Sequence, residues 1–508
     1  MKNLCYYRNM TKIAIMELGT NQIKLSIVRI EEGKYFEIEK EYTENVGIEQ
    51  HLQANSELIK TVKIKECINI LHMYKQLAVA NGVTKYHCVA SANITAAKNY
   101  VSFLEEINAD LDLEFKLLTE EEEINTLYTA VVNTIDIAKG LIISVSTSST
   151  RLVYYCRRVI LNSATIPMGA ANFTSVEDFN KLLQNVGEPF QQIDPEIPVI
   201  GSSEIFTGFA RLSRKKLKYP FDVDHNYNSD KKHFQEILTF LQGLDVERGA
   251  KLKGITANGI GYLMNGMSIA LAVMDYTNLT KIVINRHGRN VGISHRLTMQ
   301  DDEKPVTDVC LNSVETIIWA NNLDLDSAKY QYFLASTLYM QLKVLHKLPR
   351  AFTRILKVAT LLFNLGANIN KQNFDKITYY AILNANLYGL SHKEIVMAAF
   401  VASCRNWDDF MLSEWVKYKD LMDEEDLMAV RKLAIIEVMA HLINLRNQKV
   451  VKDISCDVLG DSVIVKLITE IDMKKVKVDV DAAKTEIFQL QKISKEFTRI
   501  YKKNVEIL

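Results

Sequence analysis

Residues 12–30 open on a largely apolar run that reads as a strand, turn at Gly19-Thr20-Asn21, and continue as a second strand, Ile23–Ile30, in which apolar and polar residues alternate. The period lengthens over residues 56–80, where apolar positions recur at helical spacing. A strand follows at Tyr86–Ala90, then a helix near Ala96–Ile107, and a strand at Glu114–Leu118 leads into Thr119-Glu-Glu-Glu122. That tetrapeptide is a capping box, in which the threonine hydroxyl accepts the third amide and Glu122 reaches back. The theme restarts at Leu141–Tyr155 as strand, small hydroxylated turn and strand. It continues at Val199-Ile200, a short strand entering Gly201-Ser-Ser203 and a helix. Pro198 suits the first residue of that strand or an edge, because it has no amide for a ladder.

From about Asp308 to Asn447 the helical period dominates. Beyond Val450 strands return at Val463–Thr469 and Val476–Val480, before a closing helix at Ala482–Tyr501. Strands alternating with helices predict α/β domains, and the repeated theme predicts two such lobes with a cleft between them. The expected class is α/β + α: lobe I over 1–134, lobe II over 135–303, an all-helical domain over 304–449 and a small α/β tail over 450–508. The segment nearest in character to a membrane span, Ile255–Met274, contains Thr256, Asn258, Asn265 and Ser268. That polarity predicts a buried helix instead.

At 508 residues, 48% hydrophobic and 24% charged, the chain has the makeup of a soluble protein with several cores. Sixty-one basic residues balance sixty-one acidic ones, so no overall field draws it to nucleic acid or an anionic membrane. The seven cysteines are scattered and never spaced C-x-x-C, which argues against a disulfide framework or zinc knuckle and for a reducing, cytoplasmic setting. Met1–Lys12 lacks the apolar run of a signal peptide.

Candidate chemistry concentrates in the turns that follow strands. Gly19, Thr20 and Asn21 form one such turn; Ser146, Thr147, Ser148, Ser149 and Thr150 form the other. Hydroxyls and amides there can bond a phosphate, although serine and threonine also populate turns for local reasons. Glu120–Glu123 stand at a helix start, where the macrodipole favours negative charge, and capping accounts for Glu120–Glu122 without any catalysis. Arg211, Arg214, Lys215, Lys216 and Lys218 read as a solvated helix face, with a polyanion groove as the alternative. Asp222-Val-Asp-His-Asn226 with His233 matches no standard metal spacing and reads as a polar surface loop. His392, inside the capping box Ser391-His-Lys-Glu394, reads as a helix-start residue.

The order of these motifs resembles that of the exopolyphosphatase/guanosine pentaphosphate phosphohydrolase (Ppx/GppA) family, over nearly the whole chain. The family's D-x-G-[ST]-N-S-x-[RK]-L is matched by Glu17-Leu-Gly-Thr-Asn-Gln-Ile-Lys-Leu25, and its T-S-A-x-R-x-A-x-N by Ser91-Ala-Asn-Ile-Thr-Ala-Ala-Lys-Asn99. Its I-S-G-x-E-E-A-x-L is matched by Leu118-Thr-Glu-Glu-Glu-Glu-Ile-Asn-Thr126. D-I-G-G-G-S-T-E falls on Ser144-Val-Ser-Thr-Ser-Ser-Thr-Arg151, and P-L-G-A-x-R on Pro167-Met-Gly-Ala-Ala-Asn172. The resemblance implies two actin-like (ASKHA, ribonuclease H-like) lobes, a helical domain similar to HD-type phosphohydrolases, and a homodimer. It also implies removal of terminal phosphate from polyphosphate or guanosine pentaphosphate (pppGpp). In that reaction Glu123 would activate water, Mg²⁺ would assist with Glu17 as a residual ligand, and the turns Gly19–Asn21 and Ser146–Thr150 would hold phosphate.

Departures from the family pattern fall on the chemistry. Thr95 and Asn172 stand where arginines are expected, Ser144 and Arg151 where carboxylates are, and Ser146, Thr147 and Ser148 where glycines are. The HD dipeptide reads Phe363-Asn364, and Ile377 and Cys404 fall near expected histidines, so no HD metal site survives. Arg151 reads as an exposed strand residue in preference to a substitute for the metal's charge. Two functions follow: an exopolyphosphatase-type hydrolase with impaired turnover, or a catalytically silent homologue that binds polyphosphate, an alarmone or a protein partner in a regulatory role.

Overall fold

In a computed structural model, which describes residues 10–54, 57–244, 257–299, 305–404, 409–444, 449–469 and 493–507, the opening pattern becomes an antiparallel meander. Its strands are β1 (Met10–Leu18), β2 (Gln22–Glu31) and β3 (Tyr35–Asn45). β4 (Lys85–Ala90) joins β1 in parallel and β5 (Phe115–Leu117) joins β4, giving the order β3-β2-β1-β4-β5. After β3 come α1 (Ile48–Ala54) and α2 (Thr61–Ala80), and α3 (Tyr100–Leu111) lies between β4 and β5. Period-two alternation sends Ala14, Met16 and Leu25 to one side, into a core with Leu71, Tyr74, Phe103 and Ile107 of α2 and α3. Ile15, Val28, Ile30 and Val89 face the other side and meet Ile293, from the much later helix Arg289–Thr298.

The second lobe repeats the plan. After α4 (Glu120–Val132), β6 (Lys139–Val145), β7 (Thr150–Cys156) and β8 (Val159–Ile166) form a second meander. β9 (Val199–Gly201) and then β11 (Lys281–Ile284) add in parallel beside β6, with β10 (Asn228–Asp230) at the edge. Read from β8, the order β8-β7-β6-β9-β11 duplicates that of the first sheet. α4 covers this sheet, setting Tyr128, Val131 and Val132 on Ile142, Val153 and Tyr155. α4 and the Arg289–Thr298 helix pack on each other at Gly292, where an added Cβ would lie 2.2 Å from the Thr126 carbonyl oxygen. Glycine is what lets these helices touch. Both lobes lie in one compact unit, Met1–Lys218 with Asp222–Val309.

Tyr219–Phe221 and Cys310–Leu508 form the second unit. Its described residues open with helices from Val309–Ala320 to Glu424–Ile443, as the helical period predicts. Tyr219 and Phe221 pack here on His392, with Tyr219 Oη 3.0 Å from His392 Nδ1 and the Phe221 ring at 4.9 Å. His392 does sit in a capping box, but it is only 3% exposed and anchors this contact. Phe363 is buried, against the rings of Phe374 and His441. β12 (Val451–Val458), β13 (Ser462–Thr469) and β14 (Asn504–Ile507) close the unit as a three-stranded sheet.

Several boundaries differ from expectation, each for a local reason. The helix expected near Ala96 begins at Tyr100, because Ser91 caps a 3₁₀ turn at Ala92–Ala96 first. Asn99 is drawn off to bridge Ile59, accepting from its amide and donating to its carbonyl, both at 2.9 Å. β12 and β14 were not expected, since their charged alternating sequences pattern weakly. Val476–Val480 and the start of the closing helix lie outside the described residues. Ile255–Met274 falls largely in the helix Ala257–Thr277, where Met267, Ala270 and Val273 are fully buried. Among the described residues no helix is long and apolar enough to cross a membrane.

Candidate functional site

The carboxyl ends of the parallel strands in both sheets, together with the β1–β2 and β6–β7 turns, face a cavity of about 440 Å³. Ligands of open α/β sheets gather in the crevice outside such carboxyl strand ends. Glu17, Gly19, Thr20, Asn21, Glu123, Ser146 and Thr147 all line the cavity, as does Ser144. Ser148, Ser149 and Thr150 do not.

The β6–β7 turn is held by its own hydroxyls and by the Pro167–Asn172 segment. Ser146 N and Oγ donate to Ser149 O at 2.9 and 2.8 Å, and Ala170 N and Ala171 N donate to the Ser146 and Thr147 carbonyls at 2.9 and 2.8 Å. A Cβ on Gly169 would lie 2.4 Å from Ser146 O, so the two segments touch along their backbones. Ser148 bonds Glu49, Ser149 reaches Asn93 of the first lobe at 3.4 Å, and the fully buried Thr150 donates to Met168 O at 2.7 Å. Side chains thus take up bonding capacity that a glycine turn would leave for a ligand.

Glu123, on the first turn of α4, is 4% exposed and surrounded by donors. Ser91 Oγ and Ala92 N donate to Oε1 at 2.9 and 3.2 Å, Arg289 Nη2 lies 2.6 Å from Oε2, and Arg151 Nη1 lies 3.9 Å away. Burial pushes its pKa up, but the guanidiniums of Arg289 and Arg151 and the two hydrogen bonds outweigh burial and hold it below the usual range. Glu17 shows the opposite balance. Burial dominates, Arg289 at 3.8 Å and Lys24 offset it only in part, and its pKa is raised. Thr119 caps α4 through the expected box with Glu122, which leaves Glu120 to pair with Arg151 at 3.2 Å.

Arg151 corrects the expectation of an exposed strand residue. It is 5% exposed, lies opposite Ser144 in the β6–β7 register, and lines the cavity. Arg211, Lys215, Lys216 and Lys218 are exposed as expected, but Arg214 is 8% exposed and pairs with Asp222 and with the buried Asp224, to which Arg211 Nε also donates at 3.1 Å. His225, read as part of a surface loop, is also buried. Its Nε2 lies 3.0 Å from the Thr134 carbonyl, which can only accept, so Nε2 carries the proton and Nδ1 accepts from Arg286 N at 3.4 Å.

The loop Arg286–Asn290 lines the cavity and no motif drew attention to it. A polar run with two arginines and a glycine directly after a buried apolar strand was the available signal. Asn285 organises the loop, donating to Ser202 Oγ and the His287 carbonyl, both at 2.9 Å. His287 faces the cavity with its pKa well below the ordinary value, through burial first and then the neighbouring His225 and Arg286. It is neutral at pH 7.

Mg²⁺ requires several oxygen ligands around one point. Among the described residues no three His, Cys, Asp or Glu side chains converge in that way. Of the four acids lining the cavity, the two buried ones, Glu17 and Glu123, contact the same guanidinium instead. This donor set does not fit a divalent cation.

The model of the Ppx/GppA phosphatase family matches residues 26–297. In structure, the Ppx/GppA family member from Aquifex aeolicus is similar with a TM-score of 0.50 at 20% identity, over 58% of this chain and 100% of that one. An exopolyphosphatase from Cytophaga hutchinsonii is similar with a TM-score of 0.51 at 11% identity, over 58% and 99%. A Bacteroides thetaiotaomicron protein with an actin-like ATPase fold is also a structural neighbour, with a TM-score of 0.23 at 10% identity over 38% of this chain and 81% of that one. The sequence matches no curated protein.

Proposed function

This chain belongs to the Ppx/GppA phosphatase family, and from that premise we propose that its cavity binds the phosphoanhydride chain of polyphosphate or pppGpp, with impaired hydrolysis of the terminal phosphate. The clamped state of Glu123 carries this reading. A general base needs a lone pair open to the attacking water and a pKa near the working pH. Glu123 is ionised, but two guanidiniums, a hydroxyl and an amide surround its carboxylate, and its low pKa weakens any pull on a proton.

Two further features support slow turnover. Phosphoryl transfer depends on positive charge placed on the transferred group, and Thr95 and Asn172 stand where the family resemblance expects arginines. The acids expected to hold Mg²⁺ are Ser144 and Arg151, and Arg289 lies against the two that remain. Binding is better served. The Arg289–Thr298 helix begins at the cavity wall without a side-chain cap, and Arg286, Arg289 and Lys24 supply charge there. The silent-homologue reading is the limiting case of this one, with ligand bound and none turned over. We read the helical unit as HD-like in element order and without a metal site, and the assembly as a homodimer.

Purified protein incubated with polyphosphate or pppGpp and Mg²⁺ should bind the ligand while releasing phosphate at or near the protein-free rate. Vigorous release that Glu123→Gln abolishes would overturn impaired turnover and establish an ordinary hydrolase. Failure to bind either ligand would overturn the phosphate reading.

A further inference from the structure

The guanidinium of Arg289 touches both buried acids of the cavity wall. It lies 2.6 Å from Glu123 and 3.8 Å from Glu17, whose side chains are 4% and 8% exposed. Two carboxylates so placed need compensating positive charge or a proton. A mobile divalent ion would supply it from solution and could enter with the ligand. Arg289 supplies it from the chain, cannot leave, and still lines the cavity with its side chain 22% exposed. A guanidinium has five N–H donors, so engaging the two acids does not exhaust it.

This changes the form of ligand the cleft takes. The cavity lining carries as many basic side chains as acidic ones. It therefore lacks the excess of carboxylates that would welcome a metal complex. Phosphates whose oxygens are coordinated by Mg²⁺ offer fewer free acceptors to Arg289 and to the helix amides.

We propose that the cleft binds phosphoanhydride chains as the metal-free anion, with Arg289 as a built-in counter-cation in place of Mg²⁺. The inference rests on the phosphate reading above.

Titration calorimetry of the full chain with tripolyphosphate, in EDTA and then in excess Mg²⁺, tests it. Binding in EDTA should be at least as tight as in Mg²⁺. Arg289→Gln should weaken the EDTA affinity by about tenfold or more, the range of a charge-assisted hydrogen bond, and Arg289→Lys should recover part of it. Because Arg289→Gln strands two buried acids, the double variant Glu123→Gln/Arg289→Gln, checked by circular dichroism, serves as a charge-relieved control with the same expected loss. Unchanged affinity in a folded double variant would overturn the role of Arg289. Binding that requires Mg²⁺ would overturn the inference while leaving the phosphate reading intact. Absence of binding in both buffers would overturn both.

Discussion

Glu17 and Glu123 share a guanidinium yet respond to pH in opposite directions. The folded pKa of Glu123 lies below its unfolded value near ~4.3, so its stabilisation is present above that value and lost as pH falls through the folded one. Glu17 is raised, so its ionisation opposes folding as pH climbs from the unfolded value through the folded one. At pH 7 Glu123→Gln should therefore cost about 2–4 kcal/mol in urea unfolding, leaving Arg289 under-compensated, while Glu17→Gln should cost less than about 1 kcal/mol. Equal losses would contradict the assignment of Glu123 as the stabilising partner. A second pair tests burial: Arg151→Met should cost about 1–3 kcal/mol, whereas Arg211→Ala, at a side chain 58% exposed, should stay within about 1 kcal/mol. At this scale the sequence was only partly legible. Motif order brought out Glu123 and the serine turn, but the pairing of Arg151 with Glu120 and of Arg289 with Glu123 depends on separations that no local pattern encodes. Arg214 was misread for the same reason, its partners lying beyond the end of its own helix.

Elements were more legible than their contacts. The capping boxes at Thr119 and Ser391 announce helix starts, because the spacing of hydroxyl and carboxylate is a property of the local chain. β-rich apolar runs marked β1, β2, β6 and β7, each half of a hairpin and buried on both faces. What stayed hidden was which helix covers which sheet. The approach of α4 and the Arg289–Thr298 helix at Gly292 gives a test at this scale. Gly292→Ala would push its Cβ against the Thr126 carbonyl and should destabilise by about 1–3 kcal/mol. Because the same helix carries Arg289 at its first position, tripolyphosphate affinity should fall with stability. A variant with wild-type melting and binding would show that the helices can part freely there.

Across the whole molecule, the duplicated strand order accompanies the family match over residues 26–297. Backbone topology depends on many apolar positions, and the site depends on a few polar ones, so substitution can remove the second and spare the first. The segment Tyr219–Phe221, which packs within the second unit, is testable as well. Tyr219 and Phe221 are held on His392, and the exposed Lys215–Lys218 segment precedes them. His392→Ala should loosen that anchor and speed tryptic cleavage at Lys215–Lys218 several-fold (about 3- to 10-fold), followed by mass spectrometry. Cleavage at the wild-type rate would remove the anchoring role.

The helix Arg289–Thr298, which covers the second face of the first sheet, also sets a timetable for synthesis. The strands of that sheet leave the ribosome long before Ile293 does, a delay of roughly 10–40 s between Val89 and Ile293 at the usual ~5–20 residues per second. Until then Ile15, Val28, Ile30 and Val89 have no cover from it, and the nascent first lobe must wait with one apolar face open. This late helix is thus what lets the first lobe finish folding.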